Sequence, residues 1–184
     1  MKHRQLLAVS LLTLGGLSAA HATTVNVVAG SWYDFNVDDF LAPASSPLAW
    51  IDYNDNSLLS FQFTIAPGDQ GSLTVVDAVT AGEVFPVFAN GLALGTTTFS
   101  GSSSVNVGNN YDAALANAAF SRGVYTLAAG SYLVTGVMLA TPDNINVTQG
   151  GLRLDVSVVP EVSSQALWLA GLAVVGLLAR RRAL

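Results

Sequence analysis

Apolar and polar residues alternate through much of the middle of this chain. Leu59, Phe61, Phe63 and Ile65 fall on one face of the stretch 58–65, with Ser60, Gln62 and Thr64 on the other. A period of two is the mark of a half-buried β-strand. Leu152, Leu154, Val156 and Val158 alternate in the same way with Arg153, Asp155 and Ser157, which predicts a closing strand. Ser72 to Val79 puts Leu73, Val75 and Asp77 on one face. Thr23–Gly30, Glu83–Ala89, Gly123–Leu127 and Tyr132–Ala140 also read as strands, with a shorter one at Ile145–Thr148. Pro86 marks an edge or a bulge in its strand, and Gly136 a break in its own.

Turn signals separate these runs. They are Pro67-Gly68-Asp69, Ala81-Gly82, Asn90-Gly91, Pro142-Asp143-Asn144 and Gly150-Gly151. Ser31–Phe40 is aromatic and acidic, and Leu48–Asp55 starts a strand that breaks in an Asp-Tyr-Asn-Asp-Asn run. Thr96–Asn110 predicts one exposed strand or a long loop. Tyr111–Phe120 carries the only good helix propensity of the middle, about two turns long. Eight or nine short strands and one small helix predict an all-β fold. The expected architecture is a single antiparallel β-sandwich, of which a jelly roll is one form. A parallel α/β fold needs repeated long helices, which this pattern lacks.

The two ends have a different pattern. Met1-Lys2-His3-Arg4 precedes an apolar stretch from Leu6 to Leu17, followed by Ala20-His21-Ala22. A basic start, an apolar core and an Ala-x-Ala site predict a signal peptide over 1–22, cut after Ala22 by signal peptidase on the Sec route. At the other end, Ala166 to Ala179 has no polar side chain, and Arg180, Arg181 and Arg182 close it. Such a helix rises roughly 21 Å, or about 27 Å if it starts at Val162, against a hydrocarbon core of about 30 Å. Trp168 suits an interface, and the arginines can snorkel and set a cytoplasmic C-terminus.

Val159-Pro160-Glu161, the apolar block and the terminal arginines together resemble the PEP-CTERM sorting signal, over 159–184. The resemblance implies a membrane-embedded exosortase as processing partner, with Pro160 and Glu161 in the recognition segment. Arg180, Arg181 and Arg182 would be the topological stop. Val162 stands where that motif has a second proline. The Thr-Val-Val-Asp-Ala-Val and Phe-Ala-Asn-Gly segments are similar to central domains of proteins carrying this tail. The implied setting is a Gram-negative bacterium that makes exopolysaccharide. There the chain would pass through the inner membrane to the envelope, surface or matrix.

Charge sharpens the division into leader, domain 23–158 and tail. The chain has a formal net charge of −5, yet five of its seven basic residues lie in the two ends. Between Thr23 and Glu161 all 12 acids stand against Arg122 and Arg153 alone. Such a surface repels nucleic acid. There is no cysteine, and both histidines, His3 and His21, belong to the leader. That removes Ser-His-Asp and Cys-His catalysis and thiol-based zinc sites from the domain. Acid pairs remain, Asp52 with Asp55 or Asp77 with Glu83, for glycosidase chemistry.

Two binding readings stay open. Trp32, Trp50 and Tyr53 flank acids and amides, as a glycan surface requires, because sugar faces stack on rings while hydroxyls pair with Asp and Asn. The same rings can instead fill the sandwich core. Asp52, Asn54 and Asp55 offer oxygens to a calcium ion, or serve as solvated turn-formers. The expectation is a non-catalytic exported protein associated with exopolysaccharide or biofilm, with no cofactor unless calcium. Its alternative is a glycan-binding module of the matrix.

Overall fold

A computed structural model describes residues 22–38, 48–98, 101, 104–139 and 147–160, with Trp168, Leu172, Arg180 and Arg181 of the tail. Among them are eleven strands and one short helix. The first seven strands are β1 (Ala22–Asn26), β2 (Trp32–Asp38), β3 (Leu48–Ala49), β4 (Leu58–Ile65), β5 (Asp69–Thr80), β6 (Pro86–Ala89) and β7 (Leu92–Thr96). Next come β8 (Asn106–Gly108), α1 (Tyr111–Ala116), β9 (Arg122–Leu127), β10 (Gly130–Met138) and β11 (Val147–Val158).

The strands form two sheets. One runs β1-β4-β10-β6-β7 with β3 also on β10, and the other runs β2-β11-β5-β8 with β9 also on β5. The fold is an all-β sandwich, and the chain crosses repeatedly between its layers. β1 is the exception to antiparallel pairing, since it lies parallel to β4. Ala22, read as the last leader residue, pairs with Leu58, and Thr23 to Asn26 pair with Leu59 to Gln62.

The alternation in the sequence places the core. Leu59, Phe61, Phe63 and Ile65 of one sheet meet Leu73, Val75, Leu152 and Leu154 of the other. Phe35 and Trp50 stack at 3.9 Å between ring centroids, and Phe85 stands edge-on to Phe35 at 5.1 Å. Asn90 and Gly91 both take positive φ, as a two-residue hairpin requires, and Ala89 pairs with Leu92 across them. Pro86 opens β6, and the register shifts between Val87 and Phe88, so the bulge reading holds.

Two glycine readings do not hold. Gly150-Gly151 is not a turn: β11 runs unbroken through it and pairs with both β2 and β5. A methyl on Gly150 would overlap the Phe35 ring, and one on Gly151 the Tyr111 ring. The pair notches the strand on both faces, letting Phe35 seat inside and Tyr111 outside. Gly136 likewise leaves β10 continuous and makes room for Trp50. Gly150→Ala is therefore expected to cost about 1–3 kcal/mol, as overpacking does. A lowered urea midpoint checks it. An unchanged midpoint would mean that Phe35 does not occupy the notch.

A second, smaller core lies on the outer face of the β2-β11-β5 sheet. Val76, Ala81, Ala114 and Phe120 are buried there, with Trp32, Tyr111 and Leu115 packed on them. Helix α1 covers this face. The Asn110 side chain caps its start by accepting from the Ala113 N–H. Arg122 donates to the Leu115 carbonyl at its end. β5 is thus buried on both sides, which explains the loss of alternation at Val75-Val76.

Candidate functional site

An open cleft of about 350 Å³ lies beside α1, lined by Asp34, Asn36, Tyr53, Val79, Asn109, Thr148 and Gln149. Its floor is sheet. Asn36 of β2 pairs with Gln149 of β11, which pairs with Ala78 of β5. Asn109 comes from the turn just before α1. Tyr53 comes from the acid- and amide-rich turn and is 71 % exposed.

That turn is built by the residues read as calcium ligands. Asp52 Oδ1 accepts from the Asn54 backbone N–H at 2.7 Å and from its side-chain amide at 2.9 Å. Asp55 Oδ1 accepts from the Ser57 N–H at 3.0 Å. Asn56 adopts φ 58, a value asparagine tolerates. These carboxylates shape the loop that lifts Tyr53 into solvent. Among the described residues no group of three or more His, Cys, Asp or Glu gathers as a metal site.

The three rings proposed for glycan contact separate. Trp50 is 1 % exposed and stacked on Phe35, so it cannot touch a ligand and is corrected to a core residue. Trp32 is half-buried. Its indole N–H donates to Asp112 Oδ1 at 3.0 Å, and the Arg153 guanidinium sits 4.6 Å from its ring centroid. Arg153 also pairs with Asp112 and Asp155, each at 3.0 Å. Trp32 does not line the cleft, so Tyr53 is the ring left to serve it.

The described lining of the cleft is polar with one carboxylate, Asp34. Asn36 and Thr148 are each 5 % exposed and line the cleft. Tyr111, seated on Gly151, has its phenol pushed up to about 12, first by burial and then by the charge of Asp34. Val79 takes φ 61, a strained value for a β-branched residue, beside the cleft.

Asp77 and Glu83 do come together, but both are fully buried. Asp77 Oδ2 accepts from the Gly82 N–H at 3.0 Å and the Glu83 N–H at 3.3 Å. The Glu83 carbonyl accepts from Ser121 Oγ, which also bonds Thr97 Oγ1 at 3.0 Å. Burial, and then the charge of Glu83, push Asp77 up to about 9, while the Gly82 N–H pulls it down. Sealed from solvent, the pair cannot reach a glycosidic bond.

Asn36, Val79, Asn109, Thr148 and Gln149 carry no local signal that sets them apart. Only the pairing of β2, β11 and β5 brings them together. Of the remaining expected site residues, Pro160, Arg180 and Arg181 are described, and both arginines are exposed with helical backbone. Ala20, Glu161, Arg182 and most of the apolar block lie outside the described residues. Among the described residues no helix is long and apolar enough to cross a membrane.

No family model matches the chain, and no curated protein matches it. Among solved structures, the pre-peptidase C-terminal domain of a collagenase from Bacillus anthracis is similar. It shows 8 % identity and a TM-score of 0.38, covering 74 % of this chain and 97 % of that one. The likeness is too distant to bear on function.

Proposed function

We propose that this chain is a non-catalytic exported protein of a Gram-negative envelope or extracellular matrix. It carries its acidic β-sandwich outward and is sorted through its C-terminal tail. The observation behind this is the tail itself: Pro160-Glu161, an apolar block without a polar side chain, and Arg180 to Arg182. A leader with an Ala-x-Ala site at the other end fits the same route. The tail would hold the protein in the inner membrane until an exosortase-type protease acts near Pro160-Glu161.

A second reading is favoured by a separate observation, the polar cleft beside Tyr53. A stacking ring next to amides, a hydroxyl and a carboxylate suits a glycan. The sandwich would then hold exopolysaccharide. Titrating the protein with its host's own polysaccharide should change its intrinsic fluorescence. Tyr53→Ala should weaken that binding by about tenfold, or ~1.4 kcal/mol. Its melting temperature should stay near wild type, because the ring is exposed. Binding that survives Tyr53→Ala unchanged would rule the cleft out as the glycan site.

A further inference from the structure

Resting on the glycan reading of the cleft, we infer that its ligand is an amino sugar with free primary amines, held by its ammonium at Asp34 and its ring on Tyr53. Charge and the polar lining of the cleft carry this assignment. Among the described residues, Asp34 is the one carboxylate lining the cleft, and it is exposed. No described basic side chain lines it. The domain's two cations are committed elsewhere. Arg122 donates to the carbonyl of Leu115 at the end of α1, and Arg153 lies between Asp112, Asp155 and the Trp32 ring.

An anionic glycan would therefore meet a carboxylate with no counter-charge among the described lining residues, on a domain where 11 acids face two arginines. A neutral sugar could use Asp34 only as a plain acceptor. A sugar ammonium would form a charge-assisted hydrogen bond, the stronger kind. The nearly buried Asn36 amide and Thr148 hydroxyl add donors and acceptors to the lining. Gln149 and Asn109 extend the same row toward α1. Together they supply what the hydroxyls of one or two sugar rings need.

The test is calorimetric titration of the full-length protein with three short probes at mildly acidic pH. The probes are glucosamine oligomers, their fully N-acetylated counterparts and oligogalacturonate. Glucosamine oligomers should bind about tenfold more tightly than the acetylated ones, and oligogalacturonate weakest. Asp34→Asn should erase the amine preference while keeping the affinity for the acetylated probe. A preference that survives Asp34→Asn would be bulk attraction to an acidic domain and would overturn the assignment. Equal binding of the amine and acetylated probes, or tighter binding of oligogalacturonate, would overturn the amine claim and leave a glycan site standing. No binding of any probe would overturn both.

Discussion

The urea midpoint of this protein is expected to fall as pH rises from 5 to 8, the reverse of ordinary acid denaturation. The cause is the buried pair of Asp77 and Glu83. Burial and the charge of Glu83 push Asp77 up to about 9 in the folded state, from 3.8 for a free aspartate. Between those values the native state keeps a proton that the unfolded chain has released. Its contribution is complete below about pH 4 and is lost as pH rises through about 9. At ~1.4 kcal/mol per unit, three pH units remove roughly 4 kcal/mol, a large share of a typical domain's stability. Asp77→Asn keeps an acceptor for the Gly82 and Glu83 N–H groups without a titrating proton. Its midpoint should vary much less over the same range and exceed wild type at pH 8. A wild-type midpoint flat from pH 5 to 8 would mean that the pair is not sealed.

Trp50→Ala should have the second large effect, a loss of ~3–5 kcal/mol, as for other buried aromatics. The ring contacts Phe35, Phe61 and Phe85 and fills the space that Gly136 leaves open. Trp50→Phe should cost much less. The buried indole N–H has no hydrogen-bond partner among the described residues, so removing it forfeits no bond. Chemical denaturation of both variants checks the order. A Trp50→Ala protein as stable as wild type would return this ring to the surface.

These two results turn on features the sequence did not resolve. Alternation at 58–65 and 152–158, with Asn90-Gly91, was enough for a sandwich, because those signals are local. Whether Trp50 is core or platform depends on what faces it. That is Gly136, distant in sequence and readable only once β10 is placed. Gly150-Gly151 looks like a turn because glycine pairs usually are. Here they yield space to Phe35 and Tyr111, which arrive from β2 and α1. The strand total came out higher than eight or nine because β3 and β8 are only two and three residues long. Short strands like these rest on their partners and leave almost no pattern.

The candidate site divides in the same way. Tyr53 stood out as an aromatic among acids and amides, and it does line the cleft. The acids beside it, Asp52 and Asp55, accept the hydrogen bonds of their turn, as their spacing also allowed. Asp34 belonged to a visible acidic run, yet nothing local tied it to Gln149 or Asn109. Long-range register made that cleft, so topology had to come first.

Export with sorting through the tail is the reading that matters most for this protein. Intact mass and cellular location of the mature protein in its native host decide it. The expected result is a surface or released species that begins at Thr23 and ends near Pro160-Glu161. A membrane-bound species that still carries Arg180 to Leu184 would contradict the sorting step. It would mean that Val162 spoils the processing site and that the tail is a permanent anchor.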